Sequence, residues 1–158
     1  MIQIAIVDDK QPNRVSLSEK LSFVPDIKVL FLAANGEDFL DQMKAQKHKP
    51  DVVLMDIGLP GMDGIECVRK LKPLCPGVEF MMCTIYDEDE KVFDALEAGA
   101  NSYILKSTGP EEMLAAIADL SNGGSPMSSD IARKVVQSFQ RKRNVKKEFG
   151  ITPREEDV

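Results

Sequence analysis

Ile4-Ala5-Ile6-Val7 is an apolar run with no polar residue between its members, and it meets Asp8 and Asp9 at once. A strand with one wet face would alternate apolar and polar side chains, whereas an unbroken run fits a strand covered on both faces. Val52-Val53-Leu54-Met55 repeats the pattern and also ends on an acid, Asp56. Outward from these two, the chain predicts five strands, over 3–7, 28–33, 51–55, 78–83 and 102–105. Helical patterns fill the intervals, over about 12–22, 36–46, 64–73, 88–98 and 110–121. In the last, Met113, Leu114, Ile117 and Leu120 recur at helical spacing, and Gly123-Gly124 stops it. Five β-α units in succession predict an α/β fold, a doubly wound five-stranded parallel sheet with helices on both faces.

Composition narrows the function. The 158 residues are 43% hydrophobic and 29% charged, which excludes a wholly disordered or collagen-like chain. No apolar run approaches the roughly 20 residues needed to span a bilayer. The N-terminus has no basic region ahead of its apolar run, so a secretory signal is not expected and the protein is read as cytoplasmic, with no membrane partner. Residues 1–122 hold 12 basic and 21 acidic side chains, while 123–158 hold 8 and 5. An acidic body with a mildly basic tail is not a general nucleic-acid binder. Cys67, Cys75 and Cys83 lack metal-ligand spacing and read as reduced thiols. His48 is the only histidine and has no nucleophile partner in the pattern, which removes triad hydrolysis.

The acids carry the chemistry. In open α/β sheets ligands bind beyond the carboxyl ends of the strands, where strand order reverses. In the flavodoxin-like order 2-1-3-4-5 that point lies between the first and third strands, so Asp8, Asp9 and Asp56 share one crevice. Three carboxylates repel, and a hard divalent cation relieves them; Mg²⁺ fits best. Thr84 closes the fourth strand with a hydroxyl, and Lys106 closes the fifth with an ammonium. Carboxylates, a hydroxyl and a lysine at successive strand ends suit a phosphoryl group bound to an acid. Singly, each has a plainer reading: Asp8-Asp9 or Thr84 as helix caps, Asp56 as a turn residue, Lys106 as a surface lysine. Their coincidence at one sheet edge favours the joint reading.

Beyond Gly123–Pro126 the pattern changes. Ser128-Ser129-Asp130 can cap a helix near 128–140 whose apolar stripe is Ile131, Val135, Val136 and Phe139. Arg141-Lys142-Arg143 and Lys146-Lys147 read as a basic, solvated linker. Thr152-Pro153-Arg154-Glu155 then spaces a capping-box Thr and Glu three apart with Pro at the first helical position. Only about one turn follows, and one turn does not hold alone. The expected organisation is a first domain over 1–122, a linker over 123–149, and the cut start of a second domain over 150–158.

Val7-Asp8-Asp9, the run Leu54 to Gly64, Cys83-Thr84 and the run Ala98 to Lys106 together resemble the receiver domain of two-component response regulators. The resemblance covers about residues 2–122. It implies phosphoryl transfer from a sensor histidine kinase to Asp56, in a signalling domain that acts on itself rather than as an enzyme on a separate substrate. Asp8 and Asp9 match the acid pocket. Asp9 and Asp56 match direct Mg²⁺ ligands, Asp8 a ligand through water, and Gly58 the backbone carbonyl completing the shell. Thr84 and Lys106 match the residues that grip the phosphoryl group. Tyr103 matches the aromatic that turns inward with Thr84 on activation, which implies a homodimer on phosphorylation.

Gly150-Ile151-Thr152-Pro153-Arg154-Glu155 is similar to the opening of the LuxR/NarL-type helix-turn-helix domain, as is the character of Thr84-Ile85-Tyr86. DNA binding is then expected of a domain beyond Val158 and not of this fragment. In the family a cis bond to proline often follows the lysine; Ser107 stands there, and the state of that peptide stays open. A phosphatase of the haloacid-dehalogenase type would need an acid two positions after Asp56, where Gly58 stands. A flavodoxin-like carrier would need a Ser/Thr/Gly-rich loop after the first strand, and Asp8-Asp9-Lys10-Gln11-Pro12 is not one. A receiver acting only through protein contacts is the remaining alternative.

Overall fold

The computed structural model describes residues 1–148. Along the chain run β1 (Ile2–Val7), α1 (Gln11–Ser22), β2 (Ile27–Ala33), α2 (Gly36–Ala45), β3 (Val52–Met55), α3 (Gly64–Leu71), β4 (Glu79–Thr84), α4 (Asp89–Ala98), β5 (Ser102–Leu105), α5 (Pro110–Ser121) and α6 (Ser129–Glu148). All strand pairs are parallel and the order is β2-β1-β3-β4-β5.

The unbroken apolar runs are explained by two cores. Ala5, Val7, Val53 and Met55 point to one face with Phe39, Val68, Phe80 and Val92. Ile4, Ile6, Val52 and Leu54 point to the other with Leu21, Ile117 and Leu120. Successive side chains leave a strand on opposite sides, so a strand buried twice has no position free for a polar residue.

Register then delivers the acids. Val7 is paired with Met55, and Met55 with Met82, so Asp8 and Asp56 leave the sheet at the same level. The Asp56 N–H donates to the Val7 carbonyl at 3.0 Å, extending the ladder by one bond. After Asp56 the chain turns through Leu59–Gly64 and starts α3, capped by the Asp63 carboxylate on the Glu66 N–H. Gly64 is required there: a Cβ would lie 2.0 Å from the Asp56 carbonyl oxygen. The Asn35 side chain likewise caps α2 through the Asp38 N–H at 2.7 Å.

The region after α5 departs from the expectation of a short helix and a solvated basic linker. The Ser102 hydroxyl donates to the Pro126 carbonyl, Met127 forms an isolated bridge with Tyr103, and Ile131 is fully buried in the Tyr103 core. The helix does not end near 140; α6 continues through Arg141–Lys147 to Glu148 and packs against α4. Lys and Arg are good helix formers, so the helix runs on past its apolar stripe, of which only Ile131 and Val135 are covered while Val136 and Phe139 are exposed. Ser128 does not act as a side-chain cap, because its Oγ is buried without a hydrogen-bond partner among the described residues. The helix-turn-helix opening read over 150–158 lies outside the described residues.

Candidate functional site

Three carboxylates converge at the carboxyl edge of the sheet. Oxygens of Asp8, Asp9 and Asp56 lie within 4.8 Å of one another. Asp8 and Asp56 are buried and Asp9 is exposed, so the cluster has one wet side. Lys106, one residue beyond β5, reaches back over the sheet edge. Its Nζ donates to Asp8 Oδ2 at 2.7 Å and to Asp56 Oδ2 at 2.9 Å. Burial alone would lower the Lys106 pKa, but the hydrogen bonds and charges of Asp8 and Asp56 outweigh it and hold the ammonium above its ordinary value.

Backbone groups complete the hold on the acids. Asp8 Oδ1 accepts from the Lys10 N–H at 2.9 Å, and Asp56 Oδ1 from the Gly58 N–H at 3.3 Å. Asp56 does begin a turn through that bond, but the helix-cap readings of the other residues do not hold. Lys10 is the N-cap of α1 and Glu88 that of α4, so neither Asp8, Asp9 nor Thr84 is a cap. Among the described residues every peptide bond is trans, the Lys106–Ser107 bond included.

Thr84 ends β4, fully buried, with its Oγ1 accepting from the Tyr86 N–H at 3.4 Å. The Tyr103 ring is also fully buried, and its hydroxyl donates to the Tyr86 carbonyl at 2.5 Å. Burial, helped by Glu88, Asp87 and Asp56, raises the Tyr103 pKa, so the phenol is a fixed donor at neutral pH. Tyr86 therefore links the two residues read as a switch pair, a role that residue-by-residue reading missed. Its ring lies over Gly58, where a Cβ would meet Cε2 at 3.0 Å, and Lys91 sits 5.7 Å from the ring centroid. Side-chain identity carried no signal for this, since both bonds use the Tyr86 backbone.

Arg14 was missed as well. From the first turns of α1 its Nη1 donates to the Asp8 carbonyl at 2.7 Å, fixing the backbone behind the acid. A single arginine on a helix with little apolar patterning carries no such signal. Below Asp56 and Lys106 lies a cavity of about 170 Å³ lined also by Ser16, Leu17, Cys83, Thr108 and Met113. Cys83 is a free thiol there, and burial pushes its pKa up to about 12, so it is not a nucleophile at neutral pH.

The site is thus an acidic crevice with the Lys106 ammonium, a buried hydroxyl and backbone donors. Two net negative charges favour a multivalent cation, and the carboxylates are hard oxygen donors suited to Mg²⁺. A carboxylate so held can accept an electrophilic phosphoryl group, whose added charge meets Lys106.

Comparison with known proteins agrees with that chemistry. The family model described as the response regulator receiver domain matches residues 4–118. The response regulator protein VraR of Staphylococcus aureus is 35% identical over 134 residues, covering 85% of this chain and 63% of its own length. The chain therefore spans under two thirds of the curated relatives it matches. A two-component response regulator of the LuxR family from Aurantimonas sp. SI85-9A1 superposes with a TM-score of 0.80 at 29% identity, covering 87% of this chain and 97% of that one. The signal receiver domain of NarL from Mycobacterium tuberculosis gives 0.72 at 29% identity, covering 77% and 97%.

Proposed function

Since the chain belongs to the response regulator receiver domain family, we propose that Asp56 is its phosphoacceptor, receiving a phosphoryl group from a sensor histidine kinase. The observation that supports this most is the Lys106 ammonium bridging Asp56 and Asp8 beside the exposed Asp9. In the transfer, a carboxylate oxygen of Asp56 bonds to phosphorus as the bond from phosphorus to the donor nitrogen breaks, and the electron pair leaves with the imidazole. Lys106 remains charged and faces the new phosphoryl oxygens. Thr84 turns its hydroxyl toward one of them.

The donor set fits Mg²⁺. Asp9 and Asp56 would hold it directly, Asp8 through water, and the Gly58 carbonyl would complete the shell. When bound, the ion supplies the positive charge that lets a phosphate dianion approach an acidic crevice. The chain catalyses its own phosphorylation and dephosphorylation and acts on no separate substrate. We place it in the cytoplasm; no helix among the described residues is long and apolar enough to cross a membrane. A LuxR-type regulator with a receiver over 1–122 would pass the signal to a DNA-binding segment after α6, with phosphorylation favouring a homodimer.

Intact-mass measurement after incubation with acetyl phosphate and Mg²⁺ tests the assignment. Wild type should gain the mass of one phosphoryl group, and only with the ion present. Asp56→Asn should gain none; equal uptake by the two proteins would move the acceptor elsewhere.

A further inference from the structure

The chain between β1 and α1 closes on itself around the acid pocket. Asp8 Oδ1 accepts from the Lys10 N–H at 2.9 Å, and the Lys10 carbonyl accepts from the Arg14 N–H at 3.1 Å. Arg14 Nη1 then returns to the Asp8 carbonyl at 2.7 Å. The Arg14 side chain is half-buried, so this last bond is partly shielded from water. Asp9 lies within that circuit, and it is the acid with no fastening of its own. Asp8 and Asp56 are buried and share Lys106, whereas Asp9 is exposed and nothing among the described residues donates to its carboxylate.

The placement of Asp9 is therefore a matter of backbone. The Asp8 carbonyl and the Asp9 N–H belong to one planar peptide, and that plane fixes where the Asp9 side chain starts. Ahead of it, the Asp8 N–H is bonded to the Ala33 carbonyl at 3.1 Å, so the chain is anchored in the sheet up to Asp8. Past that point the Asp8 carbonyl is held by Arg14. Packing does not replace this hold, since α1 fully buries one side chain, Leu21, near its other end.

We propose that Arg14 is a positioning residue for the divalent cation: it sets the peptide from which Asp9 reaches the ion, an inference that rests on the Mg²⁺ reading of the site. Groups that orient metal ligands by hydrogen bonds typically cost about 10–100-fold in metal affinity when removed. Charge compensation, the other role open to a cation here, has the opposite sign. A guanidinium near three carboxylates opposes Mg²⁺, so on charge alone its removal would tighten the ion. Removal of a positioning Arg14 loosens it.

Titration of the full 158-residue chain with magnesium chloride, followed by backbone amide NMR, reads that sign. Arg14→Met should raise the Mg²⁺ Kd about tenfold, and Arg14→Lys, which keeps a charged donor, should recover part of the loss. Lys20→Met removes an exposed charge from the same helix without touching the Asp8 peptide, and should leave the Kd unchanged or slightly lower. Urea unfolding without metal separates a merely structural role, in which Arg14→Met loses stability but keeps the wild-type Kd. That result, or a lower Kd in Arg14→Met, would overturn the positioning role. Should Arg14→Met not fold, Arg14→Gln carries the same expectation. Wild type that does not respond to Mg²⁺ would instead overturn the metal reading, and the positioning role with it.

Discussion

Lys106 keeps two buried carboxylates from facing each other unpaired, and it stays partly in water, with its side chain 22% exposed. Breaking a fully buried pair costs about 3–5 kcal/mol, so Lys106→Met is expected to cost about 1–3 kcal/mol in urea unfolding at pH 7. The ammonium pKa is raised in the folded state, so this stabilisation is complete below the unfolded value of about 10.4. It is lost as pH rises through the higher folded value. The stability gap between wild type and Lys106→Met should stay flat from pH 7 to 9 and close at more alkaline pH; a gap closing near neutrality would contradict the pairing. Gly64→Ala tests a different kind of residue, because its Cβ has no room against the Asp56 carbonyl. A loss of about 3 kcal/mol, the upper end for overpacking, is expected in the unfolding midpoint. At this scale the acids, Thr84 and Lys106 were legible because each closes an apolar run. Tyr86 and Arg14 were not, since both act through backbone groups that side-chain identity does not reveal.

At the scale of elements, helix starts and the covered face of α6 set the energetics. Asp63→Ala removes the acceptor for the Glu66 N–H and should cost about 1 kcal/mol, measured by thermal unfolding. The same change at the exposed Asp26, which is no cap, should stay within about 0.5 kcal/mol. Strand and helix positions were legible to within a residue or two, because buried runs and helical spacing have different periods. The far end of α6 was not. Its last apolar stripe residue is Phe139, yet the helix continues for two and a half turns on a sequence rich in the good helix formers Lys and Arg. Its docking was illegible for a related reason: Asp89 meets Lys134 and Arg141 across about fifty residues of chain, and no local pattern announces such a pair.

For the whole molecule, the clustered acids make stability depend on the ion they bind. Mg²⁺ at a hundredfold excess over its dissociation constant should add about 2.7 kcal/mol, read as a rise in Tm. Asp9→Asn should lose most of that rise while leaving the metal-free Tm nearly unchanged, because Asp9 is exposed. A full Mg²⁺ response in that variant would place the ion elsewhere. The architecture was legible from the sequence since β3, β4 and most of β1 are buried on both sides, a pattern that few sheet types demand, while the edge strand β2 is only partly covered. The contact of Gly64 with Asp56 has a further meaning at this scale. The Asp56 peptide is bonded to Val7 on one side and abutted by a bare glycine backbone on the other, so it has nowhere to go. β1, β3 and the start of α3 form a stator. Tyr86, beyond the end of β4, is held instead by two side-chain hydroxyls, those of Thr84 and Tyr103. A side-chain hydroxyl can turn where a hydrogen-bonded strand cannot, so the acceptor side of the crevice is an anvil and the Tyr86 side is where any adjustment is expected.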